Sequence, residues 1–133
     1  MYPPAGDYLF PYPQDVTLVN WREGMTPAGL DFSAKKGHNV IMAPSEYTYF
    51  DYPQYKGELP EYNNWGMPIT TLERAYKLDP GYGRPLEAQK HIWGVMGPLW
   101  GEAIIDINRA TYMTYPRAFA LAEAGWTRMV NRG

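Results

Sequence analysis

His38-Asn39-Val40-Ile41-Met42-Ala43-Pro44-Ser45-Glu46-Tyr47-Thr48-Tyr49-Phe50-Asp51 holds a short apolar run that leaves a Gly-His turn, meets a proline and then delivers Tyr49 and Asp51 two residues apart. Such a run reads as a buried strand feeding a polar loop. In a parallel α/β protein ligands bind beyond the carboxyl ends of the strands, so Tyr49 and Asp51 stand where a substrate could meet them. A strand edge followed by a solvated aspartate is the plainer alternative.

Working outward, Val16-Thr17-Leu18-Val19-Asn20-Trp21 is β-branched and apolar, a strand candidate that ends on Trp21. Residues 27 to 36 suit a short helix, with Thr26 as cap, Pro27 in its first position and Gly37 as its stop. On the other side, 52 to 68 is an aperiodic loop rich in Pro, Gly, Asn and Tyr that carries Trp65; loops of that length are usually functional or disordered. Ile69, Leu72, Ala75 and Tyr76 then recur at helical spacing, with Thr70 or Thr71 as cap and Asp79-Pro80 as stop. After an irregular connection from 82 to 90, His91-Ile92-Trp93-Gly94-Val95-Met96 forms a third strand candidate, leaving through Gly97-Pro98-Leu99-Trp100-Gly101-Glu102. A last helix is expected over 114 to 129, with Tyr115, Phe119, Leu121, Ala122, Trp126 and Met129 mostly on one face.

Strand, helix, strand, helix, strand, helix is the order of a parallel sheet with crossover helices, an α/β class. All three strands exit into aromatic or carboxylate residues: Trp21; Tyr49 and Asp51; Trp100 and Glu102. Twelve Tyr and five Trp accompany 13 Pro and 13 Gly. Flat apolar faces with polar handles suit amphipathic ligands such as sugars, although aromatics also pack loops.

The 133 residues suffice for one domain with a core, and a net charge of −2 offers no basic field for nucleic acid. The absence of cysteine removes disulfides, thiolate metal sites and a Cys nucleophile. No signal peptide or membrane span is read, and His38 and His91 lack ligand spacing, so neither a metal nor another cofactor is expected. Residues 1–15 read as a Pro- and Tyr-rich entry loop before a unit running from 16 to 133.

Four segments carry a family resemblance: Gly37-His38-Asn39-Val40-Ile41-Met42-Ala43-Pro44 with Tyr49-Phe50-Asp51-Tyr52; Tyr76-Lys77-Leu78-Asp79-Pro80; Gly94 through Glu102; and Tyr115-Pro116-Arg117-Ala118-Phe119-Ala120-Leu121-Ala122-Glu123-Ala124-Gly125-Trp126. In this order and spacing the chain resembles the β-N-acetylhexosaminidases of glycoside hydrolase family 20. The resemblance runs from about Val16 to Trp126 and covers only the last part of that family's (β/α)8 barrel, about three C-terminal βα units. The family's Asp-Glu pair, its general acid and acetamide-orienting aspartate, has no counterpart, because no Asp-Glu dipeptide occurs here. The arginine that in the family holds sugar hydroxyls near the first barrel strand is missing as well.

These enzymes are the substrate-assisted exception among glycosidases, in which the 2-acetamido oxygen attacks the anomeric carbon. The resemblance implies that Tyr49 hydrogen-bonds the acetamide oxygen, that Trp21 and Trp100 wall the acetamide pocket and floor the ring, and that Asp51 and Glu102 accept hydrogen bonds from the ring hydroxyls O6 and O4. It matches Trp65 to a tryptophan near the sugar's outer edge. His38, Glu23, Glu46 and Trp126 are read as structural.

The resulting expectation is a C-terminal piece of a β-N-acetylhexosaminidase, separated from its front and inactive alone. Its partners would be an N-acetylhexosamine-terminated glycan and either the missing N-terminal barrel part or further copies of itself. An open sheet edge and an uncovered barrel interior imply weak stability alone or self-association. A non-catalytic N-acetylhexosamine-binding or interaction module is the alternative. Full-length relatives would be secreted, periplasmic or lysosomal, and the compartment of this chain stays open.

Overall fold

A computed structural model describes residues 12–58 and 66–132. Its centre is a three-stranded parallel sheet in the order β1 (Leu18–Asn20), β2 (Val40–Met42) and β3 (Ile92–Val95). Leu18, Val19 and Asn20 lie beside Val40, Ile41 and Met42, and β2 pairs with β3 as Val40–Ile92, Ile41–Gly94 and Met42–Val95. The register shift between Val40 and Ile41 leaves Trp93 as the extra residue of a bulge, and its side chain is exposed. Among the described residues the outer edges of β1 and β3 have no strand partner.

Side chains alternate across the pleat, and β2 uses that alternation to bury Val40 and Met42 against helix α1 (Thr26–Lys36) and the turn of helix α4 (Leu86–Gln89). Leu30, Val40, Met42 and Ala88 form this part of the core. A second part, Phe50, Leu78, Leu121 and Ala124, joins the loop after β2 to helix α6 (Arg117–Trp126), which also packs along helix α3 (Leu72–Tyr76). Among the described residues no such layer covers the opposite side of the sheet, and there Val19, Trp21 and Met96 keep 44, 48 and 39% of their surface exposed.

Gly37 ends α1 in the left-handed region at φ 79°, as a helix stop requires. Thr26, expected as its cap, lies inside the first turn: Met25 occupies the cap and the Thr26 hydroxyl donates to the Arg22 carbonyl at 3.1 Å. Thr71 caps α3 by accepting from the Arg74 amide, and the helix is shorter than its spacing suggests because Lys77 already closes it. The single helix expected over 114 to 129 is two, α5 (Ile107–Thr114) and α6, parted at Tyr115-Pro116, where proline offers no amide to continue the ladder. Its expected apolar face is also redistributed: Leu121 is buried, whereas Phe119 and Trp126 are 68 and 92% exposed. Helix α2 (Ser45–Thr48) and α4 fall in stretches read as loop; with four residues each they show no period. His38 is buried, with Nδ1 3.2 Å from the Val16 carbonyl. Residues 1–11 of the expected entry loop, and Trp65, lie outside the described residues.

Candidate active-site cleft

The parallel ladder does not stop with the strands. Ala43 N donates to Asn20 O at 2.9 Å, Ser45 N to Trp21 O at 2.8 Å and Met96 N to Met42 O at 3.0 Å. One loop further, Phe50 N donates to Pro98 O at 2.8 Å. These bonds fasten the three exit loops side by side, so residues far apart in sequence meet at one end of the sheet. Trp21, Tyr49, Asp51, Trp100 and Glu102 all line a single open cleft of about 800 Å³. Val19, Tyr52, Met96, Pro98 and Leu99 complete the lining.

Four rings shape the wall. Tyr49 stacks near Trp21, with centroids 6.4 Å apart and planes 25° from parallel, and tilts against Tyr52 at 5.5 Å. Behind them Tyr52, Met67 and Ala103 form a small core that fixes the base of the Tyr49 ring. Burial pushes the Tyr49 hydroxyl above its usual pKa of 10.0 against the opposing hydrogen bond of the Trp100 side chain, so Tyr49 is a neutral hydroxyl at physiological pH, able to donate.

Asp51 is only 2% exposed, and its Oδ1 has no hydrogen-bond partner. Burial raises its pKa above 3.8, and the nearby Glu102 carboxylate adds to the rise; hydrogen bonds from its own amide and that of Trp100, and the Arg117 charge, oppose it. Glu102 is exposed, on the 3-10 turn Gly101–Ala103 directly after Trp100. Among the described residues no cation lines the cleft. Flat apolar faces, a neutral phenol and two carboxylate acceptors fit an uncharged polyhydroxylated ligand with an apolar face, and disfavour an anion.

Among the residues that sequence reasoning did not single out, Val19 shares its strand face with Trp21 by the two-residue period, which is a signal present in the sequence. Met96, Pro98 and Leu99 lie in the stretch between β3 and Trp100, which the Met96–Met42 and Phe50–Pro98 bonds fasten beside the loop after β2. Among the described residues no group of three His, Asp or Glu could hold a metal ion, and no helix is long and apolar enough to cross a membrane.

Comparison with known proteins gives one answer. The family model of the glycosyl hydrolase family 20 catalytic domain matches residues 5–129. A β-hexosaminidase of Akkermansia muciniphila is 46% identical over 114 residues, 85% of this chain and 22% of that protein; one of Vibrio furnissii is 39% identical over 115 residues, 84% of this chain and 18% of that protein. A crystal structure of a β-N-acetylhexosaminidase superposes with a TM-score of 0.81 at 45% identity, over 88% of this chain and 24% of the other. An exo-β-N-acetylglucosaminidase from Vibrio harveyi, solved in complex with N-acetylglucosamine, gives 0.71 at 31% identity, over 92% of this chain and 19% of the other. The chain thus spans about a fifth to a quarter of the length of these relatives. Its three parallel strands correspond to part of their barrel, and the chain belongs to glycoside hydrolase family 20.

Proposed function

We propose that the chain supplies the substrate-binding wall of a β-N-acetylhexosaminidase catalytic domain, which removes terminal N-acetylhexosamine from glycans by substrate-assisted, retaining hydrolysis. The observation that carries this reading is the convergence of Trp21, Tyr49, Asp51, Trp100 and Glu102 on one cleft. Residues 16 to 133 are the C-terminal βα units of that domain.

The Tyr49 hydroxyl donates to the acetamide oxygen and aims its other lone pair at the anomeric carbon, a contribution of orientation rather than of proton transfer. Trp21 and Trp100 enclose the acetamide and exclude water from it, which strengthens the polar contacts inside. Asp51 and Glu102 accept from the O6 and O4 hydroxyls with charge-assisted bonds. Charge that develops on the acetamide nitrogen and the leaving oxygen needs a second carboxylate and an acid, which this sequence lacks as an adjacent Asp-Glu pair. The isolated chain therefore binds without turning over, and it becomes an enzyme when the remainder of the domain closes on it. The unpartnered edges of β1 and β3, with Val19, Trp21 and Met96 exposed beside them, are the surface that the remainder would cover, and without it copies of the chain associate there.

Hydrolysis of a chromogenic N-acetyl-β-glucosaminide by the purified chain, beside its Tyr49→Phe and Glu102→Gln variants, tests this division of labour. The expected result is no turnover by any of the three. Turnover that either variant abolishes would mean that an acid within these residues does the work assigned to the missing pair.

A further inference from the structure

Among the described residues Arg117 is the largest side chain with no exposed surface, and none of their carboxylates bonds it. Nε and Nη2 donate to the Met113 carbonyl; Nη1 donates to Tyr52 O at 2.8 Å and Thr70 O at 2.9 Å; Nη2 also donates to Phe50 O at 2.6 Å. All five guanidinium N–H groups are thereby used on four backbone carbonyls. Two of those carbonyls, Phe50 and Tyr52, flank Asp51 on either side. The other two belong to the end of α5 and the approach to α3, so the guanidinium ties the Asp51 segment to helices behind the cleft. The Phe50 ring lies 5.4 Å from the guanidinium carbon and covers it from one face.

Burial of a cation without an ion pair is costly, and it pushes the Arg117 pKa down to about 10, which still leaves the group charged at neutral pH. An apolar plug would leave four buried carbonyls unsatisfied and a neutral amide has too few donors for them, so the guanidinium is held here by the backbone groups it satisfies.

We propose that Arg117 is the positioning residue for Asp51: by gripping the carbonyls on both sides it aims the Asp51 carboxylate into the cleft, and it supplies the positive charge behind that carboxylate. This rests on the reading of the cleft as an N-acetylhexosamine site. The groups facing Asp51 are Glu102 from the turn after β3, Tyr52 and Tyr49 from its own loop, and Arg117 from α6. Glu102 raises the pKa of Asp51, and the backbone amides of Asp51 and Trp100 together with Arg117 lower it, so removal of the cation leaves only the two amides to oppose burial and the repulsion.

The test follows the Asp51 carboxyl by carbon-13 titration and N-acetylglucosamine affinity by calorimetry across pH, in the wild-type chain, Arg117→Gln and Arg117→Lys. Arg117→Gln is expected to move the Asp51 titration upward, to move the acid limb of binding with it, and to weaken binding at neutral pH by roughly tenfold. Arg117→Lys keeps the charge but has three donors for four carbonyls; the Asp51 titration returns toward wild type while affinity recovers only in part. An Asp51 titration unchanged in both folded variants overturns the proposal, whatever the affinity does. Where a variant does not fold, the wild-type chain decides: the Arg117 Nε–H resonance is expected to inflect with the Asp51 titration, and a flat profile overturns the coupling. Absence of sugar binding by the wild-type chain would refute the cleft's assignment while leaving both resonance measurements to judge Arg117.

Discussion

Replacing Asp51 by Asn should weaken sugar binding and stabilise the fold in one step. Asp51 is 2% exposed, its Oδ1 is unpartnered and Glu102 repels it, so its charge is held at a cost. The folded pKa lies above the ordinary 3.8, which means that the native state binds its proton more readily than the unfolded chain does. Stability from this site is therefore full at pH below the unfolded value and is lost as pH rises through the folded value. Asparagine keeps an oxygen for the backbone amides but carries no charge. An unsatisfied buried acceptor costs about 1–3 kcal/mol, part of which the amide retains, so a gain of about 1 kcal/mol at neutral pH is expected. For a chain of this size that is a rise in Tm of roughly 3–5 °C. Thermal melts of both proteins from pH 4 to 8, at one fixed chain concentration because association alters Tm, provide the assay. The gap should open with rising pH and level off near neutrality, while N-acetylglucosamine affinity falls by about tenfold through loss of a charged acceptor. A variant less stable than wild type at pH 7, or a gap independent of pH, would refute the reasoning.

Other perturbations probe separate parts of the structure. A Cβ at Gly97 would stand 2.5 Å from Phe50 Cε2 and 2.8 Å from Leu121 Cδ2, so Gly97→Ala should cost about 1–3 kcal/mol in urea denaturation and shift the Phe50 segment that carries Asp51. Met42 is fully buried between sheet and α1, and Met42→Ala should cost about 2–5 kcal/mol by the same measurement. Trp100 is 54% exposed on the cleft, so Trp100→Ala should leave the urea midpoint nearly unchanged and still reduce N-acetylglucosamine affinity by roughly tenfold. The exposed Lys77–Glu73 pair should contribute little, and Glu73→Gln is expected to leave the urea midpoint unchanged.

The three strands are legible in the sequence because β-branched and apolar residues at Val16–Val19, Val40–Met42 and Ile92–Val95 have turn residues or proline after them. Exits into aromatic and acidic residues make the gathering of Trp21, Tyr49, Asp51, Trp100 and Glu102 foreseeable, since parallel strands bring their carboxyl ends to one side. What escapes is set by contacts between distant segments. Helices of one turn, α2 and α4, have too few residues to show a period. The exposure of Phe119 and Trp126 cannot be read from helical spacing, which reports that residues share a face but not whether that face is covered. Arg117, following a proline at a helix start, resembles a solvated residue in sequence; only the tertiary meeting of Phe50, Tyr52, Thr70 and Met113 carbonyls reveals why it is buried. The Trp93 bulge likewise follows from pairing, because nothing local marks it.

The most direct measurement is calorimetric titration of the purified chain with N-acetylglucosamine and, in parallel, with glucose, which lacks the acetamide. If Tyr49 and the tryptophans form an acetamide pocket, N-acetylglucosamine binds saturably with a Kd on the order of millimolar, glucose does not, and Tyr49→Phe erases most of the difference. Equal binding of the two sugars, or a preference for N-acetylglucosamine that survives Tyr49→Phe unchanged, would contradict it.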